Sequence, residues 1–196
     1  MPDRPYITSH RPPRILLSGR PGCGKTTVIK RSLKFIGPGR CTGFYTEEVR
    51  EGGRRIGFDV VTLDGRRGPL ARLGAVGPRL GRYAVDLDSF ERLALASLDP
   101  SGAEHSMQRV CVVDEIGKME MFSPKFVALL GRIFAETWRP ILGTVLAARH
   151  PAVDPIRRRR DIEIVQVTRE NRDELPAAIG RVFVEYLADP DAAARP

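Results

Sequence analysis

A short apolar run, Ile15-Leu16-Leu17-Ser18, leads straight into Gly19-Arg20-Pro21-Gly22-Cys23-Gly24-Lys25-Thr26, and an amphipathic stretch follows. Nothing else in the chain limits its fold as sharply. The apolar run reads as a strand buried on both faces, the usual setting of a parallel sheet. The three glycines let the backbone curl so that successive N–H groups point at one place. A helix starting at that place turns its positive end toward the same spot, which makes an anion cradle. The spacing G-x-x-x-x-G-K-T suits the phosphates of a nucleotide: Lys25 reaches the β- and γ-phosphates, and the Thr26 hydroxyl suits Mg²⁺, a cation that prefers oxygen ligands. A helix is expected from Lys25 to about Phe35, with Val28, Ile29 and Leu33 turned inward. Thr27 reads as a first-turn residue within reach of the α-phosphate. Cys23 lies near a helix amino end, a position that favours the thiolate. A small side chain at an unconstrained position explains it as well and is the preferred reading.

A second apolar run, Val110-Cys111-Val112-Val113, ends in Asp114-Glu115 and continues as Ile116-Gly117. Downstream of a phosphate loop, a carboxylate at the end of a buried strand is placed to hold the magnesium shell, and Asp114 is expected to do so through water. Glu115 would polarise the attacking water. Phosphoryl transfer asks mainly for positioning and charge neutralisation, so the expected catalytic residues are Lys25 and Glu115. An extra carboxylate beside the metal aspartate favours water as the nucleophile. Thr144, closing Ile141-Leu142-Gly143-Thr144, is expected on a strand beside the phosphate loop, either touching the γ-phosphate or simply ending the strand. Asn171 and Arg172, after the last strand, are candidates for the nucleobase, although Asn171 also suits a helix N-cap. Arg54, Arg55, Arg82, Arg149 and Arg157 are too many to rank as partners for transition-state charge.

Between these motifs the chain alternates. Gly43–Glu48 and Arg55–Leu63 flank Glu51-Gly52-Gly53 and read as a hairpin. Arg82–Asp86 reads as a strand, and Asp88 with Glu91 as a capping box opening a helix through Leu98. Residues 99–108 read as a polar loop. Ser123 with Pro124 begins a helix whose apolar face is Phe126, Leu129, Leu130, Ile133 and Phe134. Ile141–Leu146 and Ile162–Val167 read as strands. Asn171 with Glu174 reads as a capping box before a helix striped by Leu175, Ile179, Val182, Phe183 and Tyr186. Apolar strands alternating with helices imply an α/β, Rossmann-like, three-layer P-loop NTPase domain. Its central sheet would be mixed but mostly parallel, with an inserted β-hairpin. Ligands bind such sheets beyond the carboxyl ends of the strands, where both motifs fall. Residues 14–188 are expected to form a single domain, with flexible ends over 1–13 and 189–196.

Composition narrows the class. The 196 residues suit one domain with a real core. No apolar run approaches the roughly 20 residues that span a bilayer, and Met1–Arg14, with four prolines, lacks the apolar centre of a secretory signal. Three cysteines without a CxxC pair give neither a disulfide framework nor a metal site. A cytoplasmic monomer without membrane contact is the resulting expectation. The net charge is +8, and only five of the 32 basic residues are lysine. A basic surface attracts polyanions, but the run Arg157-Arg158-Arg159-Arg160 reads as a solvated helix end or loop in preference to a nucleic-acid patch.

Several stretches carry a family resemblance: Gly43-Phe44-Tyr45-Thr46-Glu47-Glu48-Val49-Arg50, Gly57-Phe58-Asp59-Val60-Val61-Thr62-Leu63 and Asp114-Glu115-Ile116-Gly117-Lys118-Met119-Glu120, with Tyr83–Leu87 and Thr168–Arg172. With the phosphate loop they make the chain, from about Arg14 to about Leu187, resemble the cancer-related nucleoside-triphosphatase family, the P-loop group that also contains thermostable prokaryotic NTPases. The resemblance implies slow, Mg²⁺-dependent hydrolysis of NTP to NDP and phosphate with little choice of base. It also implies nucleotide binding by Gly19–Thr26 and by Val110–Gly117. No physical role for Lys118, Met119 and Glu120 emerges from the sequence. His150–Arg160 looks shorter and richer in arginine than is usual in the family, and Met1–Pro13 is an unusual extension. Two alternatives stand beside hydrolysis. One is phosphotransfer to a nucleoside or RNA end, with Glu47, Glu48, Arg54 and Arg55 lining an acceptor pocket. The other is a nucleotide-dependent RNA-binding switch.

Overall fold

A computed structural model describes residues 11–98 and 109–189. The expected loop over 99–108 lies outside the described residues, as do most of the two expected flexible ends.

One nine-stranded sheet organises the chain, in the order β5-β6-β4-β3-β2-β7-β8-β1-β9. Its strands are β1 (Arg14–Ser18), β2 (Cys41–Glu51), β3 (Arg54–Thr62), β4 (Arg67–Leu73), β5 (Arg79–Leu80), β6 (Tyr83–Val85), β7 (Val110–Ile116), β8 (Ile141–Val145) and β9 (Glu163–Gln166). The strands β2, β7, β8, β1 and β9 pair in parallel. From β2 outward the pairing turns antiparallel through β3, β4, β6 and β5. The expected hairpin, β2 and β3, is therefore the root of an antiparallel wing that β4, β6 and β5 extend. Strand β4 was not foreseen, because Gly68 and Pro69 inside it break the usual strand composition.

Helices cover both faces. On one lie α1 (Lys25–Ile36) and α6 (Leu175–Ala188). They pack with Ile15, Leu17, Val110 and Val112 around Val28, Ile29, Ile179 and Phe183. The other face carries α4 (Pro124–Ala135) and a helix running from α2 (Leu87–Phe90) through a π turn (Glu91–Leu95) to α3 (Ala96–Leu98). There Leu16, Cys111 and Val113 meet Phe126, Leu130 and Ile133. Successive residues of β1 and β7 thus feed opposite cores, which is why these strands are apolar throughout. Phe44, Phe90 and Phe126, all fully buried, stack edge-on or tilted at centroid distances of 5.0–6.0 Å.

The caps follow the sequence in one case and correct it in two. Ser123 caps α4 by accepting from the Phe126 N–H at 3.1 Å, with Pro124 at the first position. The Asp88–Glu91 box does not form. The cap of α2 is Asp86, whose Oδ1 accepts from the Ser89 N–H, and Glu91 instead accepts from Ser123 Oγ and Lys125 Nζ. The Asn171–Glu174 box does not form either: α6 starts later, at Leu175, and Asn171 braces the preceding turn. A short helix, α5 (Asp154–Arg157), lies in the stretch expected to be irregular.

Candidate active site

The site lies where β1, β7 and β8 end together. The turn after β1 holds Gly22 at φ 75° and Gly24 at φ 108°, in the left-handed region that glycine enters without penalty. Helix α1 begins immediately at Lys25, so its free N–H groups and positive end face the turn. Lys25 Nζ folds back to donate to the Gly19 carbonyl at 3.3 Å. Cys23 is half-buried, with its Sγ against Gly19. The other two thiols are inert core residues, since burial pushes Cys41 up to about 12 and Cys111 up to about 11.

Asp114 sits at the centre, 1% exposed. Its Oδ1 accepts from the Thr144 hydroxyl at 2.5 Å. Burial raises its pKa. The hydroxyls of Thr144 and Thr26, the Thr46 backbone N–H and the charge of Lys25 pull it back. Groups from β8, α1 and β2 thus converge on one carboxylate. Its second oxygen, Oδ2, is buried without a hydrogen-bond partner. A buried acceptor left in that state is costly, and an orphaned carboxylate oxygen near a threonine hydroxyl is the donor set a hard divalent cation takes. The residues therefore fit Mg²⁺. Glu115, the next residue, is half-buried. Burial and the Asp114 charge raise its pKa, while Lys25 opposes them.

Thr144, expected to reach the γ-phosphate or the water, spends its hydroxyl on Asp114. Arg172 and Asp173 line a shallow cleft of about 280 Å³ with Gly24, Thr27, Val28 and Arg31, on the outer side of the phosphate loop. The Arg172 Cδ lies 3.4 Å from where a Cβ on Gly24 would stand. Asn171 lies beside this cleft, with its side chain bound to the backbone of Thr168 and Gln166. The arginine candidates separate: Arg55 and Arg82 bond to Tyr83, and Arg157 donates to the carbonyls of Leu146, Ala147 and Ala148. Arg54 and Arg149 are exposed. In the Arg157–Arg160 run, Arg159 pairs with Asp161, while Arg158 and Arg160 are exposed.

Sequence reasoning missed Glu120. It is 4% exposed and packs under the turn at Gly117, and burial with the neighbouring Glu115 charge pushes its pKa up to about 8. The only sequence signal was its place in the Asp114–Glu120 stretch.

A glycine-rich turn between the first strand and a helix, with an acidic strand end two strands away in the sheet, defines an α/β protein of the P-loop NTPase class. Comparison with known proteins narrows the class. A family model described as NTPase matches residues 14–180. The human cancer-related nucleoside-triphosphatase is 46% identical over 173 residues, covering 82% of this chain and 91% of the human one. The nucleoside-triphosphatase THEP1 of Thermotoga maritima is 40% identical over 163 residues, covering 83% and 90%. Among solved structures, THEP1 from Aquifex aeolicus superposes with a TM-score of 0.78 at 34% identity, covering 85% of this chain and 96% of that one. The human enzyme's solution structure superposes at 0.71 with 47% identity, covering 85% and 95%. The chain belongs to this nucleoside-triphosphatase family.

Proposed function

We propose that the protein is an Mg²⁺-dependent hydrolase of nucleoside 5'-triphosphates with little base selectivity, releasing NDP and phosphate. It is a hydrolase acting on NTPs; the metal and the base tolerance are our reading. The observation that carries it is the Asp114 carboxylate, buried against Thr26 and Thr144 with one oxygen unpartnered at the mouth of the phosphate loop. Thr26 and Asp114 would hold Mg²⁺, Asp114 through water, and the ion would neutralise charge on the phosphates. Backbone N–H groups of Gly19–Thr26 bind the phosphates, and Lys25 balances the γ-phosphate charge. Glu115 orients a water and accepts its proton. The water oxygen bonds to the γ-phosphorus as the bond to the bridging oxygen breaks, and NDP leaves with that electron pair. Arg172 and the open cleft beside Gly24 offer the base a surface to lie on, which suits weak discrimination.

One continuous sheet supports reading residues 14–188 as a single catalytic domain. Free, mostly buried cysteines suit a reducing cytoplasm. Among the described residues no helix is long and apolar enough to cross a membrane. A monomer is the simplest working unit. Glu47 and Glu48 are engaged with Lys30, Arg67, Arg50 and Arg55, so nothing at the hairpin favours an acceptor pocket for phosphotransfer.

The test is phosphate release from ATP, GTP, CTP and UTP with Mg²⁺, for the parent and for Glu115→Gln. The parent should turn over all four at similar rates. Glu115→Gln should still bind nucleotide but lose about 100-fold or more in turnover. A parent that releases no phosphate without an added acceptor or partner would defeat this reading.

A further inference from the structure

Glu120 takes no part in the reaction just described, yet it is among the most deeply buried charged residues of the site. It opens a single 3₁₀ turn, Glu120–Phe122, just after β7. A glutamate that is 4% exposed must be paired, hydrogen-bonded or protonated. Its charged neighbours Glu115 and Asp114 of β7 are both negative, while the backbone N–H groups of Gly117 and of Glu120 itself favour its ionised form.

Gly117 locates the contact. Its φ lies outside the left-handed region, so glycine is not needed there for conformation. A Cβ at residue 117 would stand 2.8 Å from Glu120 Oε2 and 3.2 Å from Glu115 Cδ, so both side chains border the same small space. The two carboxyl groups fill the place of the missing side chain. Carboxyl groups that share so small a space do not both ionise readily. Glu120 is the more deeply buried of the two.

We propose that Glu120 is a positioning residue for Glu115: packed across Gly117, its carboxyl group fixes the Glu115 side chain where it orients the attacking water. A neutral carboxyl can lie against a carboxylate where a second charge would drive it off. The proton taken from water passes from Glu115 to the released phosphate. This rests on the assignment of Glu115 made above.

Steady-state hydrolysis of Mg-ATP tests it, with Glu120→Ala and Glu120→Gln made in the parent and Glu120→Ala also made in Glu115→Gln. Glu120→Ala should lower kcat by about tenfold with KM changed less than about twofold. Glu120→Gln, neutral and of the same shape, should restore kcat to within about threefold of the parent. In the Glu115→Gln background, Glu120→Ala should cost nothing further, since a residue acting only through Glu115 has no effect once Glu115 is disabled. The proposal is overturned if Glu120→Ala keeps the parent kcat, if Glu120→Gln is as impaired as Glu120→Ala, or if the alanine change costs the same factor in both backgrounds. If Glu115→Gln itself turned over like the parent, the Glu115 assignment would fail and this inference with it. An inactive Glu115→Gln beside a fully active Glu120→Ala would remove the inference alone.

Discussion

Two buried acids at this site ask opposite things of the solvent. Asp114 is surrounded by donors and stands ready for a cation, whereas Glu120 has carboxylates for company and is most stable neutral. Its pKa is about 8 in the folded chain against an ordinary 4.5, so between those values the native state holds a proton that the unfolded chain gives up. Raising the pH through that window therefore favours unfolding, and the loss ends near pH 8, where folded and unfolded forms are both ionised. Glu120→Gln removes this contribution. Its melting temperature should fall less than the parent's between pH 4.5 and pH 8, as scanning calorimetry can show; parallel declines would mean that Glu120 is charged in the fold. The gathering of Lys25, Thr26, Asp114 and Glu115 in one place was legible because their spacing is set by phosphate chemistry. Glu120 was not, because its character comes from Gly117 and Glu115 folding against it. Asp86 rather than Asp88 as a cap was equally hidden, since both lie at the start of the helix and only the backbone path selects between them.

At the scale of elements, α4 is held by an unusual number of side-chain ties at its first turn. Ser123 Oγ accepts from the Phe126 N–H and also donates to Glu91, at 2.7 Å, on the π turn after α2. The same contact seats Phe126 against Phe44 and Phe90. Ser123→Ala loses both bonds, and a lost N-cap costs about 1 kcal/mol, up to about 2. Thermal unfolding should drop by about 2–8 °C in a domain of this size, with little change in KM, because the cap lies away from the phosphate loop. A drop below about 1 °C would show that solvent replaces both bonds. The helix itself was plain from its apolar stripe and Ser-Pro start. The wing was only half plain. A Gly-Gly turn between two β-rich runs announces β2 and β3, but β4 carries Gly68 and Pro69, and β5 is two residues long. Their place in the sheet comes from pairing with neighbours.

For the whole molecule, the proposed binding of Mg-nucleotide at Asp114 would add to the stability of the fold. A ligand that binds only the native state stabilises it by about 2.7 kcal/mol at 100 times its Kd, or about 5–11 °C in melting temperature. Mg-nucleotide added to Glu115→Gln, which should bind without turnover, is expected to produce that shift for all four bases. Asp114→Ala should show a much smaller one. A shift confined to one base would contradict the reading of the Arg172 cleft. The molecule also manages its own margins. The sheet ends at β5, two residues long, and at β9, four residues long, so neither border offers a long row of open backbone groups. A nine-stranded sheet with such blunt borders gives a neighbouring chain little to zip onto, and crowding should leave this protein dispersed where a longer border would seed fibrils.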